Sequence, residues 1–277
     1  GMSMTEFQFI YWWEWGHRQW ARFLGVVWAV GFLGLLATRS VPTGWTGRLV
    51  LLGALGGLQG LAGWWMVHSG LAPGMFDVAS YRLAIHLGLA FVILALMAWY
   101  ILTLGRSEAD LIAARRDGDR KIYGMSTGLL HLSLVQILIG ALVAGIDAGR
   151  SYTDWPMMGG QFLPPTMWDL EPFVRNFFEN AGTVQFIHRM TGYLLLLFAI
   201  GLWMASRRSS RNATKRAVDW TMLMVLVQMA IGIVTVLNAA PWTWAILHQF
   251  GAVVLITLIL RARFLARYPL PQSVRGA

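Results

Sequence analysis

Four histidines and one glutamate are the residues whose types and spacing could do chemistry. His17, His86, His188 and His248 each stand near the start of a long apolar run, and Arg18 and Arg189 directly follow two of them. An ionisable residue inside such a run is costly and usually functional. Two imidazoles on neighbouring helices can bind one haem iron from both faces. Zinc wants a third or fourth nitrogen, sulfur or oxygen ligand, and two histidines per bundle do not supply it. Glu14 lies three residues before His17, so the two share a helix face. Glu-x-x-His is also a di-iron ligand pattern, but that site needs a second copy and two further glutamates, which the apolar runs lack. Arg18, Arg189 and Arg82, the last four residues before His86, can pair bidentately with carboxylates such as haem propionates. The competing reading for the arginines is snorkelling to lipid headgroups. For Glu14 it is an acid near a helix start or an orienter of His17.

These residues need a scaffold, and composition says which. Of 277 residues 57% are hydrophobic and 13% charged, about half the charge of a soluble domain. A soluble bundle would need charged helix faces. The apolar runs are about 20 residues long, enough to cross a bilayer core of ~30 Å. Seven spans are expected, near 15–37, 48–67, 82–104, 124–146, 183–205, 218–238 and 243–262, all helical because lipid satisfies no backbone group. The chain has no cysteine, which excludes disulfides, thiolate metal sites and thiol catalysis. The net charge of +9 suits loops on one side of a membrane and does not point to nucleic acid.

Lys and Arg set the expected orientation. Loop 38–48 carries two, loop 105–121 five, loop 206–217 five and the tail from Arg261 four, so sixteen of the 22 fall on one side. That side is expected to be cytoplasmic, with the C-terminus in it. Loop 147–182, which contains Asp147, Asp154, Asp169, Glu171 and Glu179, is expected outside, its Trp155 and Trp168 packing at the interface. The four histidines then share one depth near the outer surface. His68 reads as interfacial and His131 as a core hydrogen-bonder. The glycines of the second span (Gly53, Gly56, Gly57, Gly60 and Gly63) suit close helix packing or room for a flat macrocycle.

The chain repeats itself at about 170 residues. "EWGHRQWARFLG" resembles "QFIHRMTGYLLL", Gln59 and Gly63 match Gln228 and Gly232, and His86 matches His248. A tandem copy predicts two similar halves related by an axis along the membrane normal. Their boundary is expected between 1–121 and 122–277. The fourth span has no counterpart before the first, so an eighth helix is expected ahead of Gly1. The halves differ at one chemical point: Gln185 occupies the position equivalent to Glu14.

The stretches "FIYWWEWGHR", "GWWMVHSGL", "YRLAIHLGLA", "GALVAGIDAGRSYTDWPMM", "FENAGTVQFIHRMTGYLL" and "AILHQFGAVV" together resemble the haem A synthase family. They are most similar to its proteobacterial and mitochondrial branch, which lacks an external cysteine pair. The resemblance implies an all-α membrane protein of two pseudo-symmetric four-helix bundles. It implies that haem O is bound in the N-terminal half, with His17 and His86 as axial ligands, and haem b in the C-terminal half, with His188 and His248. The implied reaction is oxidation of a ring methyl of haem O to a formyl group, through an alcohol and a hydrated aldehyde, to give haem A. Glu14 is placed to stabilise developing positive charge or act as general base. The implied setting is the inner membrane of a bacterium, with haem sites near the periplasmic face. Partners would be haem O, the lipid bilayer, a haem O synthase and cytochrome oxidase assembly factors, and homo-oligomers are compatible with this. The competing reading is a di-haem electron-transfer cytochrome. A transporter would need broken helices at equivalent places in the two halves, and none is apparent.

Overall fold

A computed structural model describes residues 3–70 and 77–271. Among them, helices dominate, and the extended structure is a single bridge between Met158 and Gln161. Seven helices are long and apolar enough to cross a membrane: α1 (Met4–Ala37), α2 (Thr46–Gly70), α3 (Ser80–Leu104), α5 (Arg120–Gly145), α7 (Ala181–Ser206), α8 (Asn212–Leu237) and α9 (Trp242–Arg267). The short α4 (Glu108–Arg116) and α6 (Asn176–Glu179) lie in loops. No proline falls inside a described helix, which keeps each backbone ladder unbroken. A 26-residue helix is ~39 Å long, so each spans the hydrocarbon with turns to spare.

All seven expected spans are helices, but α1 begins at Met4, not near residue 15. The aromatic run Phe7–Trp15 continues the helix, since an aromatic belt favours the interface without breaking a ladder. Glu14 and His17 are therefore well inside α1, not at its start. Arg275, counted among the tail's basic residues, lies outside the described residues.

The chain divides into two compact units, 1–65 and 66–277. In the first, α1 turns into α2 through Arg39, whose left-handed backbone (φ 54°) closes the helix. Trp28 donates from Nε1 to the Leu49 carbonyl at 3.0 Å, and its ring fills the place where a Cβ on Gly53 would stand. Close packing thus accounts for Gly53. At Gly56, Gly57 and Gly60 no described atom lies within 4 Å of an added Cβ.

In the second unit α5, α7, α8 and α9 surround a core of Ile122, Leu129, Leu202, Val218, Ile256 and Ile259, with Phe91 of α3 against it. The basic-rich end is tied across elements. Asp119 caps α5 by accepting from Ile122 N at 3.0 Å, and its own N–H reaches the Ala266 carbonyl at 2.8 Å. Arg263 lies 4.5 Å from the ring centres of both Trp99 and Tyr123. Thr214 donates to the Leu265 carbonyl at 3.2 Å. These contacts anchor the helices at one end, while the histidines stand toward the other.

Candidate functional site

Helices α7 and α9 bring His188 and His248 together. Asn180 starts α7 by accepting from Thr183 N at 3.0 Å, and Pro241 precedes the first turn of α9, where its missing N–H is harmless. Both histidines stand about two turns in. Their ring centres are 6.5 Å apart, with planes at 81°. Below them the apolar core closes the bundle. Nδ1 of each ring is buried and meets no hydrogen-bond partner among the described residues. A buried polar nitrogen left so costs about 1–3 kcal/mol, which suits rings whose purpose is to bind something. Metal–imidazole bonds run about 2.0–2.1 Å, so two end to end, with the ring radii added, span roughly the separation found. The pair fits one haem iron held from both faces. Among the described residues, no group of three or more His, Asp or Glu could hold a metal ion.

The loop 147–180 folds over this end of the second unit. Arg189 donates to the Asp154 carbonyl at 2.9 Å and to the Met157 and Tyr152 carbonyls at 3.0 Å each. Its guanidinium therefore holds the loop, a task the sequence reading did not foresee beside propionate binding. Gln185, the counterpart of Glu14, is buried and donates to the Tyr152 carbonyl at 3.0 Å. Trp155 donates to the Tyr193 hydroxyl at 2.8 Å, and Trp168 packs on Phe173 and Phe177. Inside the loop the Asp154 carboxylate accepts from Gly160 N and Gly159 N, each at 2.9 Å.

The hydrogen bonds from Gly160 and Gly159 hold the Asp154 carboxyl below its ordinary value of 3.8. A group lowered on folding stabilises the fold above its unfolded value and loses that contribution as pH falls through the folded one. Amide hydrogen exchange at Gly159 and Gly160, corrected for intrinsic rate, is therefore expected to show constant protection from neutral pH to about pH 5 and loss below about pH 4. Asp154→Ala should lack that protection throughout. Equal protection in the variant would show that the carboxylate does not hold the turn.

Glu14, His17 and Arg18 share one face of α1 in the first unit. Glu14 accepts an ion-paired hydrogen bond from Arg18 at 2.6 Å, both side chains being about half exposed. Arg18 also lines a small cleft along the same helix with Tyr11, Trp15, Gln19 and Arg22. His86 and Arg82 belong to α3 of the second unit, one turn apart and half-buried. The structure thus brings His188 and His248 together and sets the remaining site residues on their own helices, as described. His131 bonds through Nδ1 to the Thr127 carbonyl of its own helix at 2.8 Å and is exposed, not part of the core. Missed in the sequence was Gln136, whose Nε2 donates to the His188 carbonyl at 2.9 Å. Gln228 makes the same bond to His248 at 2.9 Å. The recurrence of Gln-x-x-x-Gly at 136–140 and 228–232 was the available signal.

The cytochrome oxidase assembly protein model of the COX15-CtaA family matches residues 1–260. The chain belongs to the COX15-CtaA family. Relatives named heme A synthase include one from Jannaschia sp. (strain CCS1), 75% identical over all of this chain and 73% of the relative. Another, from Dinoroseobacter shibae, is 66% identical over all of this chain and 72% of its own length. That of Paracoccus denitrificans is 60% identical over 99% of this chain and 72% of its own. A family member with seven membrane-length helices is a multi-pass membrane protein. The COX15-CtaA match also covers α1, with its Glu14, His17 and Arg18, and the His188–His248 pair.

Proposed function

We propose that this chain is a haem A synthase, an oxidoreductase that converts one ring methyl of haem O to a formyl group. The observation that carries the reading is the facing pair His188 and His248, 6.5 Å between ring centres, in a chain whose relatives are named heme A synthase. Turning a methyl into a formyl group removes four electrons and adds one oxygen atom, so the enzyme must hold the substrate, move protons and pass electrons on.

A haem b held by His188 and His248 would supply one-electron redox chemistry. The remaining work belongs to side chains. His17 and His86, which stand in stretches that resemble the family, are the candidate ligands of haem O. Glu14, one turn from His17, would accept a proton from the reacting methyl or from the attacking water, and its negative charge would favour the electron-poor carbon. Arg18 orients Glu14 through their 2.6 Å pair, or turns to a propionate when haem O arrives. Arg82 is the candidate propionate partner beside His86. Arg189, through the loop carbonyls, keeps the external segment over the His188–His248 end and limits water there.

The setting proposed is the inner membrane of a bacterium, basic loops and C-terminus cytoplasmic, with the histidines toward the periplasm. A haem O synthase would supply the substrate and cytochrome oxidase assembly would consume the product. Purified chain should carry a low-spin b-type haem in its reduced-minus-oxidised spectrum. Haem-free protein from cells that make haem in excess would contradict the assignment of His188 and His248.

A further inference from the structure

The His188–His248 pair is gripped twice by the same device. Helix α5 faces α7, and α8 faces α9. In each pair a glutamine and the glycine four residues on oppose a histidine and a glycine on the other helix. Gln136 Nε2 donates to the His188 carbonyl at 2.9 Å, and Gln228 Nε2 to the His248 carbonyl at 2.9 Å. Each glutamine rests on a glycine of the histidine helix. A Cβ on Gly192 would lie 3.3 Å from Gln136 Nε2, and one on Gly251 would overlap the Gln228 side chain. Each imidazole in turn rests on a glycine of the glutamine helix. A Cβ on Gly140 would lie 3.0 Å from His188 Cε1, and one on Gly232 would lie 3.1 Å from His248 Cε1.

The lock is reciprocal, and the chain makes it through two unrelated connections, a long external loop and a tight turn. Stability alone does not account for it. Both glutamine Oε1 atoms are buried with no partner among the described residues, at about 1–3 kcal/mol each, and apolar side chains would pack two helices without that loss. What the lock does fix is the depth of each histidine and the freedom of each ring. The result is a pair of planes at 81°.

We propose that Gln136 and Gln228 are positioning residues which, with Gly140, Gly192, Gly232 and Gly251, hold the two imidazole planes nearly perpendicular across the iron they share. The inference rests on the haem reading above. Ring orientation sets how the iron d orbitals split, so perpendicular planes give a highly anisotropic low-spin ferric signal, and parallel planes a less anisotropic one. Outer partners of metal ligands typically matter by roughly 10–100-fold in affinity.

The test is electron paramagnetic resonance on the full-length, haem-loaded protein, with haem retention measured beside it. Wild type should give the highly anisotropic signal. Gln136→Met and Gln228→Met, which keep bulk and remove the donor, should shift it toward the less anisotropic form and weaken haem retention by roughly 10–100-fold. Folded Met variants that lose haem altogether also support the proposal. Should they fail to fold, Gly232→Ala decides: it moves the His248 ring by a few tenths of an ångström with the Gln228 bond intact, and a changed signal is expected. A wild-type signal in the loaded Met variants, or in Gly232→Ala where those do not fold, overturns the positioning role and leaves the haem reading standing. Wild-type protein that binds no haem overturns both.

Discussion

His188→Ala and His248→Ala should each abolish the low-spin haem b spectrum of the purified protein. Either change would remove one of the two imidazoles proposed to hold that haem. Among the described residues no cluster of three His, Asp or Glu could hold a metal in their place, and His131 is bonded to its own helix on an exposed face. The loss should exceed the roughly 10–100-fold typical of an outer-shell change. Folding should survive. Each ring is only partly buried, so truncation falls in the common 0.5–3 kcal/mol range (about 1–2 expected here), and the core of Leu129, Leu202, Ile256 and Ile259 lies apart from it. Absorption at equal protein concentration, with size-exclusion elution as the folding control, checks this. Bands that persist in both variants would mean that the facing pair is not the haem b site.

The second large effect is expected at Glu14. Glu14→Gln keeps the shape and removes the charge. The Glu14–Arg18 pair is half exposed, and helix pairs of this kind contribute about 0.3–0.5 kcal/mol, so stability should hardly change. Loss of a general acid–base group lowers turnover by about 10²–10⁴-fold. The variant should therefore bind haem O, retain the haem b spectrum and yield almost no haem A. Arg18→Gln should be milder if its task is to orient Glu14, since the carboxylate remains. Haem A output at the wild-type level from Glu14→Gln would remove Glu14 from the chemistry and leave it as a helix-surface ion pair.

The contrast between Glu14 and Gln185 shows what was legible before any coordinates. The repeat aligned the two residues, and the structure gives Gln185 a purely architectural use, a hydrogen bond to the Tyr152 carbonyl. The spans were legible because twenty apolar residues admit few alternatives in lipid. Their ends were not, because caps such as Asn180 and Asp119 act through single hydrogen bonds, and because Phe7–Trp15 extends α1 without raising hydropathy much. That His188 and His248 stand near the starts of their helices was legible from their places in the apolar runs. The pairing of His188 with His248 was legible only through the family resemblance, since sixty residues separate them and spacing alone does not join them. Gln136 stands outside the repeat that relates the halves, since its likeness to Gln228 lies within one half. The task of Arg189 was hidden for a different reason. Its partners are backbone carbonyls of Tyr152, Asp154 and Met157, which carry no residue-type signal.

The central claim is that this chain makes haem A from haem O. The direct measurement is acid–acetone extraction and chromatography of the haems from cells that co-express the chain with a haem O synthase, against cells with the synthase alone. The account predicts that haem A appears only when the chain is present and that Glu14→Gln leaves haem O in its place. Recovery of haem O and haem b without haem A, from cells in which the wild-type chain is folded and haem-loaded, would contradict it.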